Sequence, residues 1–174
     1  RGPAVLMAER KYRQATMLVH PFPDRVIHKN PSGGGTYVKH STVQQRLMDV
    51  LGYVDLELVQ IIRGHVDPKP PNPNGKSAKA KAGSPALTDA VVGVVARMTA
   101  VVDGQTVTVE EAGDCEEPHN WPHDGARMKD AMSDAYKRCA MRLGVGLHLW
   151  SQDDFYIADT LMKQDDEAAN AWRM

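Results

Sequence analysis

Polar and apolar residues alternate in the middle of the chain, and this pattern predicts three β-strands in succession. In residues 54–66, Asp55 and Glu57 alternate with apolar neighbours, which is the period-two pattern of a half-buried strand. Residues 90–102 and 105–112 are rich in β-branched side chains and flank an Asp-Gly pair, a strong signal for a two-residue hairpin. The three strands are therefore expected to form an antiparallel sheet.

The clearest helical pattern lies in residues 126–143. Small and apolar side chains recur there every three to four positions and define one buried stripe: Met128, Ala131, Met132, Ala135 and Cys139. Gly144 is well placed to end this helix. A second helix is expected to begin at Ser41, where Gln44 three residues later completes a capping-box pattern. Residues 8–18 are rich in helix-forming residues and predict a third, basic helix.

The order of these elements predicts an α+β fold, in which a long helix packs across an antiparallel β-β-β-α core sheet. Residues 1–150 are expected to form one domain, followed by an acidic C-terminal tail at 151–174. Residues 67–85 are rich in proline, lysine and small side chains, and this composition predicts a flexible basic loop.

The charges of the chain are segregated, although its 174 residues carry a net charge of only −1. Lys and Arg outnumber Asp and Glu by 13 to 6 in residues 1–82 and by 5 to 2 in 126–150. Acidic residues outnumber basic ones by 8 to 1 in 83–125 and by 6 to 2 in 151–174. The local field of the basic blocks can attract a polyanion even though the average charge is slightly negative.

The sequence favours a reducing, intracellular environment and predicts no contact with a membrane. Its two cysteines, Cys115 and Cys139, do not suggest a disulfide framework. Its longest apolar runs are only a few residues, far shorter than a bilayer span.

No catalytic motif is complete, so the chain is not expected to be an enzyme. The segment at 75–77, Gly-Lys-Ser, resembles the end of a phosphate-binding loop, but Pro70 occupies the place of the required upstream glycine. His119 and His123 could bind a metal in principle, yet prolines prevent the helix that would direct both at one ion. The segment 114–123 is therefore interpreted as a polar surface loop, and neither a metal nor a cofactor is expected.

The long helix is also a candidate nucleic-acid contact, because it carries four cations: Lys129, Lys137, Arg138 and Arg142. Asp130 and Asp134 lie on the same helix and can pair with these cations locally. The charge pattern alone therefore leaves two interpretations open, a solvated helix face and a DNA-binding face.

A glycine run at 33–35 has two interpretations as well. It could be a flexible turn, or it could let the backbone approach a phosphate closely. Arg25, His28 and Lys29 precede the run and favour the second interpretation.

Three separated segments resemble the Rad52-type single-strand annealing family. The family signature K-E-A-V-T-D-x-L-K-R-A-L-R-x-F-G is similar to KDAMSDAYKRCAMRLG at 129–144. The family's glycine run, strand and helix are similar to GGGTYVKHSTVQQRLMDVLGY at 33–53. The family's hairpin is similar to VVGVVARMTAVVDG together with EEAGD. Residues of this chain match the signature at Lys129, Ala131, Asp134, Lys137, Arg138 and Gly144. The resemblance covers roughly residues 9–150.

This resemblance implies a core that assembles into rings or related multimers, with single-stranded DNA in a basic groove. The family's groove residues carry over to Lys137 and Arg138, with Lys129 as an added contact. The basic residue before the glycine run corresponds to Lys29 or, since the register slips by one there, to Arg25. An outer DNA site near the hairpin loop and helix start of the family has its best counterparts in Lys76, Lys79 and Lys81.

Several departures from the family pattern suggest a distant, phage-type branch. The family's F-G-N-A-L-G is replaced by Leu-Gly-Val-Gly-Leu-His at 143–148, and a basic residue that often follows it falls near Asp153 or Asp154 here. The proline-rich and lysine-rich segment 67–85 is an insertion relative to the compact family hairpin.

The sequence thus predicts a DNA-binding protein that promotes annealing of complementary single strands in recombination and double-strand break repair. Lys and Arg would hold phosphates and leave the base edges exposed, since few of the ten aromatic residues lie in basic segments. The expected partners are single-stranded DNA, further copies of the chain and other recombination proteins. A duplex-DNA or RNA module and a multimeric scaffold for a protein partner are the alternatives, and a metal-dependent nuclease ranks last.

Overall fold

The computed structural model describes residues 12–30 and 34–171. Its helices are α1 (Gln14–Val19), α2 (His40–Val50), α3 (Ala78–Ala82), α4 (Asp124–Arg142), α5 (His148–Ser151) and α6 (Ile157–Ala171). Its strands are β1 (His28–Lys29), β2 (Thr36–Tyr37), β3 (Asp55–Val66), β4 (Leu87–Val102) and β5 (Gln105–Asp114). Helices and strands of this kind confirm the expected α+β class.

Strands β3, β4 and β5 form an antiparallel sheet in that order. The β4–β5 hairpin turns at Asp103 and Gly104, whose φ angles of 49° and 81° are both positive. Such a turn matches the right-handed twist of the flanking strands, which is why the Asp-Gly pair predicts it. The Oγ1 atoms of Thr99 and Thr108 lie 3.2 Å apart across the hairpin, in the register that a two-residue turn requires. The hairpin prediction is confirmed.

Two compact units account for the described chain. The first contains the described residues of Arg1–Asp55, Met98–Val109 and Cys139–Met174, and the second contains Leu56–Arg97 and Glu110–Arg138. Among the described helices, none has both the length and the hydropathy that a bilayer span requires.

Helix α4 packs on the sheet in the second unit. Its Ala131 and Ala135 are fully buried in one cluster with strand residues of β4, and Met128 and Met132 pack against that cluster. The predicted apolar stripe of the long helix is therefore confirmed, and its small residues let the helix backbone lie close to the strands.

The end of α4 is set by Gly144, whose φ is +96°. The N–H of Gly144 donates to the carbonyl of Met141 at 2.8 Å, and the N–H of Val145 donates to that of Ala140 at 3.0 Å. These two bonds are the Schellman arrangement, in which glycine adopts the left-handed conformation without steric cost. The predicted helix end is thereby confirmed.

In the first unit, the hairpin turn also caps helix α1. The carboxylate of Asp103 accepts hydrogen bonds from the N–H groups of Gln14 at 2.7 Å and Ala15 at 3.1 Å. The side chain of Gln14 in turn accepts from the Asp103 N–H at 2.7 Å and donates to the Val50 carbonyl at 2.9 Å. Because the first N–H groups of a helix lack intrahelical partners, Asp103 stabilises α1 as well as its own turn.

One detail of the sequence-based interpretation is wrong, namely the capping box at Ser41 and Gln44. Helix α2 begins at His40, and Lys39 is its N-cap without a side-chain hydrogen bond. Val38 and Val43 are both buried and occupy the two positions of a hydrophobic staple relative to this N-cap.

Regular structure occurs both in the segment expected to be a flexible loop and in the acidic C-terminal segment, whose sequence pattern is partly helical. Residues 67–85 include helix α3 and an antiparallel bridge between Lys69 and Ser84, while the flexibility of the segment stays a prediction. Residues 151–171 include helix α6, which packs against α1 in the first unit. Of the basic helix predicted at 8–18, residues 8–11 lie outside the described part, and α1 covers the end.

Asp165 connects α6 to the start of α1. Its carboxylate accepts hydrogen bonds from Thr16 Oγ1 at 2.7 Å and from the Arg13 N–H at 3.0 Å, and it also pairs with the Arg13 guanidinium. Burial by itself raises the pKa of Asp165, but these hydrogen bonds outweigh burial and hold the pKa below its usual value. The carboxylate is therefore stabilised in its charged form.

We expect Asp165→Asn to lower the free energy of unfolding at pH 7 by about 2 kcal/mol, because hydrogen bonds to a charged acceptor are lost. Since the folded-state pKa is depressed, the contribution of Asp165 is complete at neutral pH and is lost as pH falls through that pKa. The difference between the melting temperatures of the two proteins should therefore begin to shrink at about pH 4, the unfolded-state pKa, and disappear only below the depressed folded-state pKa. Asp159→Asn, which removes an exposed carboxylate of the same helix, is the control. Equal melting of wild type and Asp165→Asn at pH 7 would contradict this role.

Candidate nucleic-acid interface

Helix α4 places two adjacent cations at half-buried positions in the second unit. The full burial of Ala131 and Ala135 fixes which side of the helix faces the sheet. Lys137 and Arg138 therefore lie beside this buried stripe, where they are neither in the core nor fully exposed, whereas Lys129 near the start of the helix is exposed. Charges at such positions are screened less by water than charges at exposed positions.

The guanidinium of Arg138 is oriented by Asp134, one helical turn earlier. Arg138 Nε donates to Asp134 Oδ2 at 2.7 Å, and the same oxygen accepts from the N–H of Asp114 at 3.4 Å. The hydrogen bond that Arg138 donates to Asp134 raises the pKa of Arg138 and outweighs the opposing effect of burial. Arg138 is therefore held in a charged, restricted arrangement that also anchors the end of β5.

Lys137 differs from its neighbour because it makes no ion pair within residues 12–30 and 34–171. Its four-carbon stem is half-buried, which restricts the positions that the ammonium group can reach. A positive charge on a restricted side chain without a counter-charge is well suited to pair with an approaching phosphate.

The first unit contributes a second basic feature, the ribbon of β1 and β2. His28 pairs with Tyr37 and Lys29 pairs with Thr36 in this antiparallel ribbon. The N–H of Asn30 donates to the carbonyl of Gly35 at 2.9 Å, and the φ of Gly35 is +99°, a conformation that glycine adopts readily. Gly34 and Gly35 thus form part of a hairpin connection, whereas Gly33 lies outside the described residues.

The two candidate cations near this ribbon are exposed. Lys29 lies in β1, and Arg25 lies in the short 3-10 turn Asp24–Val26. Neither forms an ion pair in the part of the chain that the structure describes. Either side chain is therefore available to an anion, which leaves the choice between them open.

Tyr37 is a candidate contact that the sequence interpretation missed. Its ring is 41% exposed, and its centroid lies 5.5 Å from that of His28 across the ribbon. Aromatic rings at the surface beside lysine or arginine are suitable for stacking with unpaired bases. The signal was present in the sequence, since Tyr37 lies two positions after the glycine run, but the strand pairing was needed to place it opposite His28.

The lysines proposed for an outer DNA site differ in their environments. Lys76 and Lys81 are exposed on the segment around α3. Lys79 instead donates a hydrogen bond to the carbonyl of His119. The three ammonium groups therefore do not act as equivalent members of one surface row.

The candidate residues are distributed over both compact units. Arg25, Lys29 and Arg142 belong to the first unit, whereas Lys76, Lys79, Lys81, Lys129, Lys137 and Arg138 belong to the second. Arg142 is exposed in the last turn of α4. Within the second unit, the structure brings Lys137 and Arg138 together as neighbours on one helix.

Side chains that could have supported catalysis or metal binding have structural roles. Cys115 is buried in the core, where burial and the nearby Asp130 raise the pKa of its thiol to about 11, so it stays protonated. His119 was expected in a polar surface loop, but it is 4% exposed and its Nε2 lies 2.8 Å from the Asp67 carbonyl. No group of metal-binding side chains occurs among the described residues.

A second cluster missed by the sequence interpretation secures the start of α4. Asp124 accepts a hydrogen bond from the N–H of Val91 at 3.1 Å and forms ion pairs with Arg63 at 2.9 Å and Arg127 at 3.0 Å. Arg127 is buried and also donates to the carbonyls of Pro118 and Trp121, both at 3.0 Å. This network fixes the helix that carries Lys137 and Arg138.

The sequence model of the Rad52/22 family of double-strand break repair proteins matches residues 11–168. The chain belongs to this family. The match covers most of the chain, including helix α4 with both half-buried cations and the β1–β2 ribbon. A comparison with curated proteins gives no significant match.

Membership of the Rad52/22 family assigns the chain to DNA repair and recombination. The three-stranded antiparallel sheet with helix α4 packed on it agrees with the β-β-β-α core expected from the family resemblance.

Proposed function

We propose that this Rad52/22 family protein binds single-stranded DNA and promotes annealing of complementary strands during homologous recombination and double-strand break repair. The observation that carries the proposal is the pair of neighbouring cations on α4. Lys137 has no acidic partner among the described residues, and Arg138 is held in place by Asp134. The departures from the family pattern favour a distant, phage-type branch.

The charged side chains account for annealing without a cofactor. Lys137, Arg138 and Lys129 would contact phosphates, which carry no sequence information and leave base edges accessible to a second strand. Tyr37, with Lys29 or Arg25 nearby in sequence, would add base stacking and a further phosphate contact. The free energy of the reaction comes from base pairing, and the protein raises the local concentration of the two strands.

The edges of the sheet support assembly into a ring or related multimer. Strand β3 has twelve residues and forms one edge of the sheet, so one side of its backbone lacks a strand partner among the described residues. Apolar side chains on this strand are exposed on both sheet faces, with Val59 at 41%, Ile61 at 42% and Ile62 at 37%. Long exposed apolar edges favour pairing with another chain.

The proposal is tested by mixing complementary oligonucleotides with and without the purified protein, in the absence of nucleotide triphosphate. We expect the protein to accelerate duplex formation and the acceleration to fall steeply as salt is raised, because phosphate contacts release counterions. A non-complementary pair of strands is the control for aggregation.

Three outcomes would overturn the proposal. Equal competition by duplex and single-stranded DNA would favour a duplex-binding module, and a preference for RNA would favour an RNA module. Absence of nucleic-acid binding at low salt would favour a scaffold for a protein partner. Light scattering and electron microscopy of the same protein test the multimer, and a stable monomer at working concentration would contradict the ring.

A further inference from the structure

A cavity of about 360 Å³ lies in the second unit, between the segment around α3 and the turn that contains His119. Its walls include Lys69, Asn72, Ser77, Lys79, His119 and Asn120. The volume falls at the lower end of the range of about 300–1,000 Å³ that small-molecule sites span. None of the cations proposed for the inner DNA groove lines this cavity.

The cavity wall is built by close backbone packing. The N–H of Lys69 donates to the carbonyl of Ser84 and the N–H of Ser84 to that of Lys69, both at 2.9 Å. Gly83 has a φ of +77°, and a Cβ at this position would lie 2.5 Å from the Lys69 carbonyl oxygen. A Cβ at Gly75 would lie 2.6 Å from the Cβ of Ala80. The two glycines therefore permit a tight chain path that larger residues would disrupt.

Two side chains of the cavity wall, Lys79 and Ser77, have hydrogen-bond donors available to a ligand. Lys79 forms no ion pair among the described residues, and its ammonium group bonds only to the uncharged carbonyl of His119. Two of its three N–H donors remain for a ligand. The Oγ atom of Ser77 accepts from the N–H of Ala80 at 3.1 Å, which leaves its hydroxyl proton to donate. Lys69 already forms an ion pair with Glu117, so Lys79 is the lysine of the cavity wall whose charge has no acidic partner among the described residues.

His119 adds an acceptor to these donors. Its Nε2 lies 2.8 Å from the Asp67 carbonyl, and because a carbonyl only accepts, Nε2 carries the proton. In the neutral ring, Nδ1 is then an acceptor, and it has no hydrogen-bond partner within the described part of the chain. The cavity thus combines donors suited to an anion with an acceptor suited to an N–H group.

We propose that this cavity binds a nucleoside monophosphate, with the phosphate on Lys79 and Ser77 and the base near His119. Inorganic phosphate would satisfy the donors but leave most of the volume empty, whereas a nucleoside would lack the anionic group for Lys79. The nucleotide can be free or can be the phosphorylated end of a DNA strand. Binding of a phosphorylated DNA end rests on the proposed annealing function, whereas binding of a free nucleotide does not.

The test measures binding of dAMP to the full chain by calorimetry, with deoxyadenosine and inorganic phosphate as comparison ligands. We expect dAMP to bind more tightly than either. Lys79→Gln should weaken dAMP binding about tenfold or more, since a charge-assisted hydrogen bond is lost while a donor to the His119 carbonyl is retained. Lys163→Gln is the control, because it removes the same charge from an exposed position outside the cavity wall and outside the residues proposed for DNA contact. Thermal melts establish that both variants are folded.

Several results would reject the cavity as a nucleotide site. The first is the absence of dAMP binding at millimolar concentration, the second is equal affinity for phosphate and dAMP, and the third is an equal loss of dAMP affinity in Lys79→Gln and Lys163→Gln. Oligonucleotides with a 5′-phosphate or a 5′-hydroxyl distinguish the two sources, because only a strand-end site prefers the phosphorylated form. A protein that binds dAMP but neither binds nor anneals single strands would retain this inference and reject the proposed function.

Discussion

Lys137→Ala is expected to weaken single-stranded DNA binding about tenfold or more, with little effect on folding. The ammonium group makes no ion pair within the described residues, so its removal leaves no buried partner unsatisfied. Each phosphate contact also contributes about 0.7 to the slope of log affinity against log salt for single strands. Fluorescence anisotropy with a labelled oligonucleotide at several salt concentrations measures both quantities.

The double variant Lys137→Ala/Arg138→Ala should lose most of the binding and lower the salt slope by about 1.4, because two contacts are removed. Lys163→Ala is the matched control, since it removes an exposed lysine from the acidic segment around α6. If Lys163→Ala and Lys137→Ala reduce the affinity equally, the loss reflects net charge and the assignment to α4 fails. Arg138→Ala alone also removes the partner of Asp134, so its melting temperature is needed alongside its affinity.

Gly113→Val is expected to unfold the second unit or to lower the free energy of unfolding by roughly 3 kcal/mol or more. A Cβ on Gly113 would lie 2.2 Å from the carbonyl oxygen of Ala131 and 2.3 Å from the backbone nitrogen of Ala135. Both are backbone atoms of α4, so no rotamer change can relieve the overlap and the helix must move away from the sheet. Thermal melting should show a decrease of about 6–12 °C if the protein still folds.

Gly64→Ala is the control for this substitution. Gly64 lies in strand β3 of the same sheet, where a Cβ would be 3.4 Å and 3.7 Å from the side chain of Val92, which can adjust. We expect a change in melting temperature of only a few degrees there. If Gly113→Val melts like Gly64→Ala, the close approach of α4 to β5 is not required for stability.

Local patterns were sufficient to predict the elements that present the candidate site. The stripe through Ala131 and Ala135 predicted which side of α4 is buried, and the Asp-Gly pair predicted the hairpin. The pairing of Asp134 with a cation of its own helix was also accessible, because residues four apart in a helix are always neighbours. Such inferences succeed because they depend only on residues within one or two helical turns, or within one hairpin turn, of each other.

Other features depended on segments far apart in the chain. From the sequence alone, Arg46 is one more basic residue of α2. In the structure its guanidinium donates to the carbonyls of Met17 at 3.1 Å and His20 at 2.5 Å. It also lies 4.5 Å from the centre of the Phe22 ring. These contacts complete the end of α1, and burial lowers the pKa of Arg46. No local pattern identifies a residue that serves a distant helix end.

The sequence by itself determined the α+β class, the amphipathic helix with Lys137 and Arg138, and the family resemblance. Periodicity and motif spacing depend only on residues that are close together in the chain. Only the tertiary structure decided how Asp103, Asp165 and His119 are used and that segment 67–85 lines a cavity together with His119. It also separated the paired Arg138 from Lys137, which lacks an ion pair among the described residues. The physical reason is that a hydrogen bond or an ion pair depends on which elements fold against each other, and charge patterns along a chain do not specify that choice.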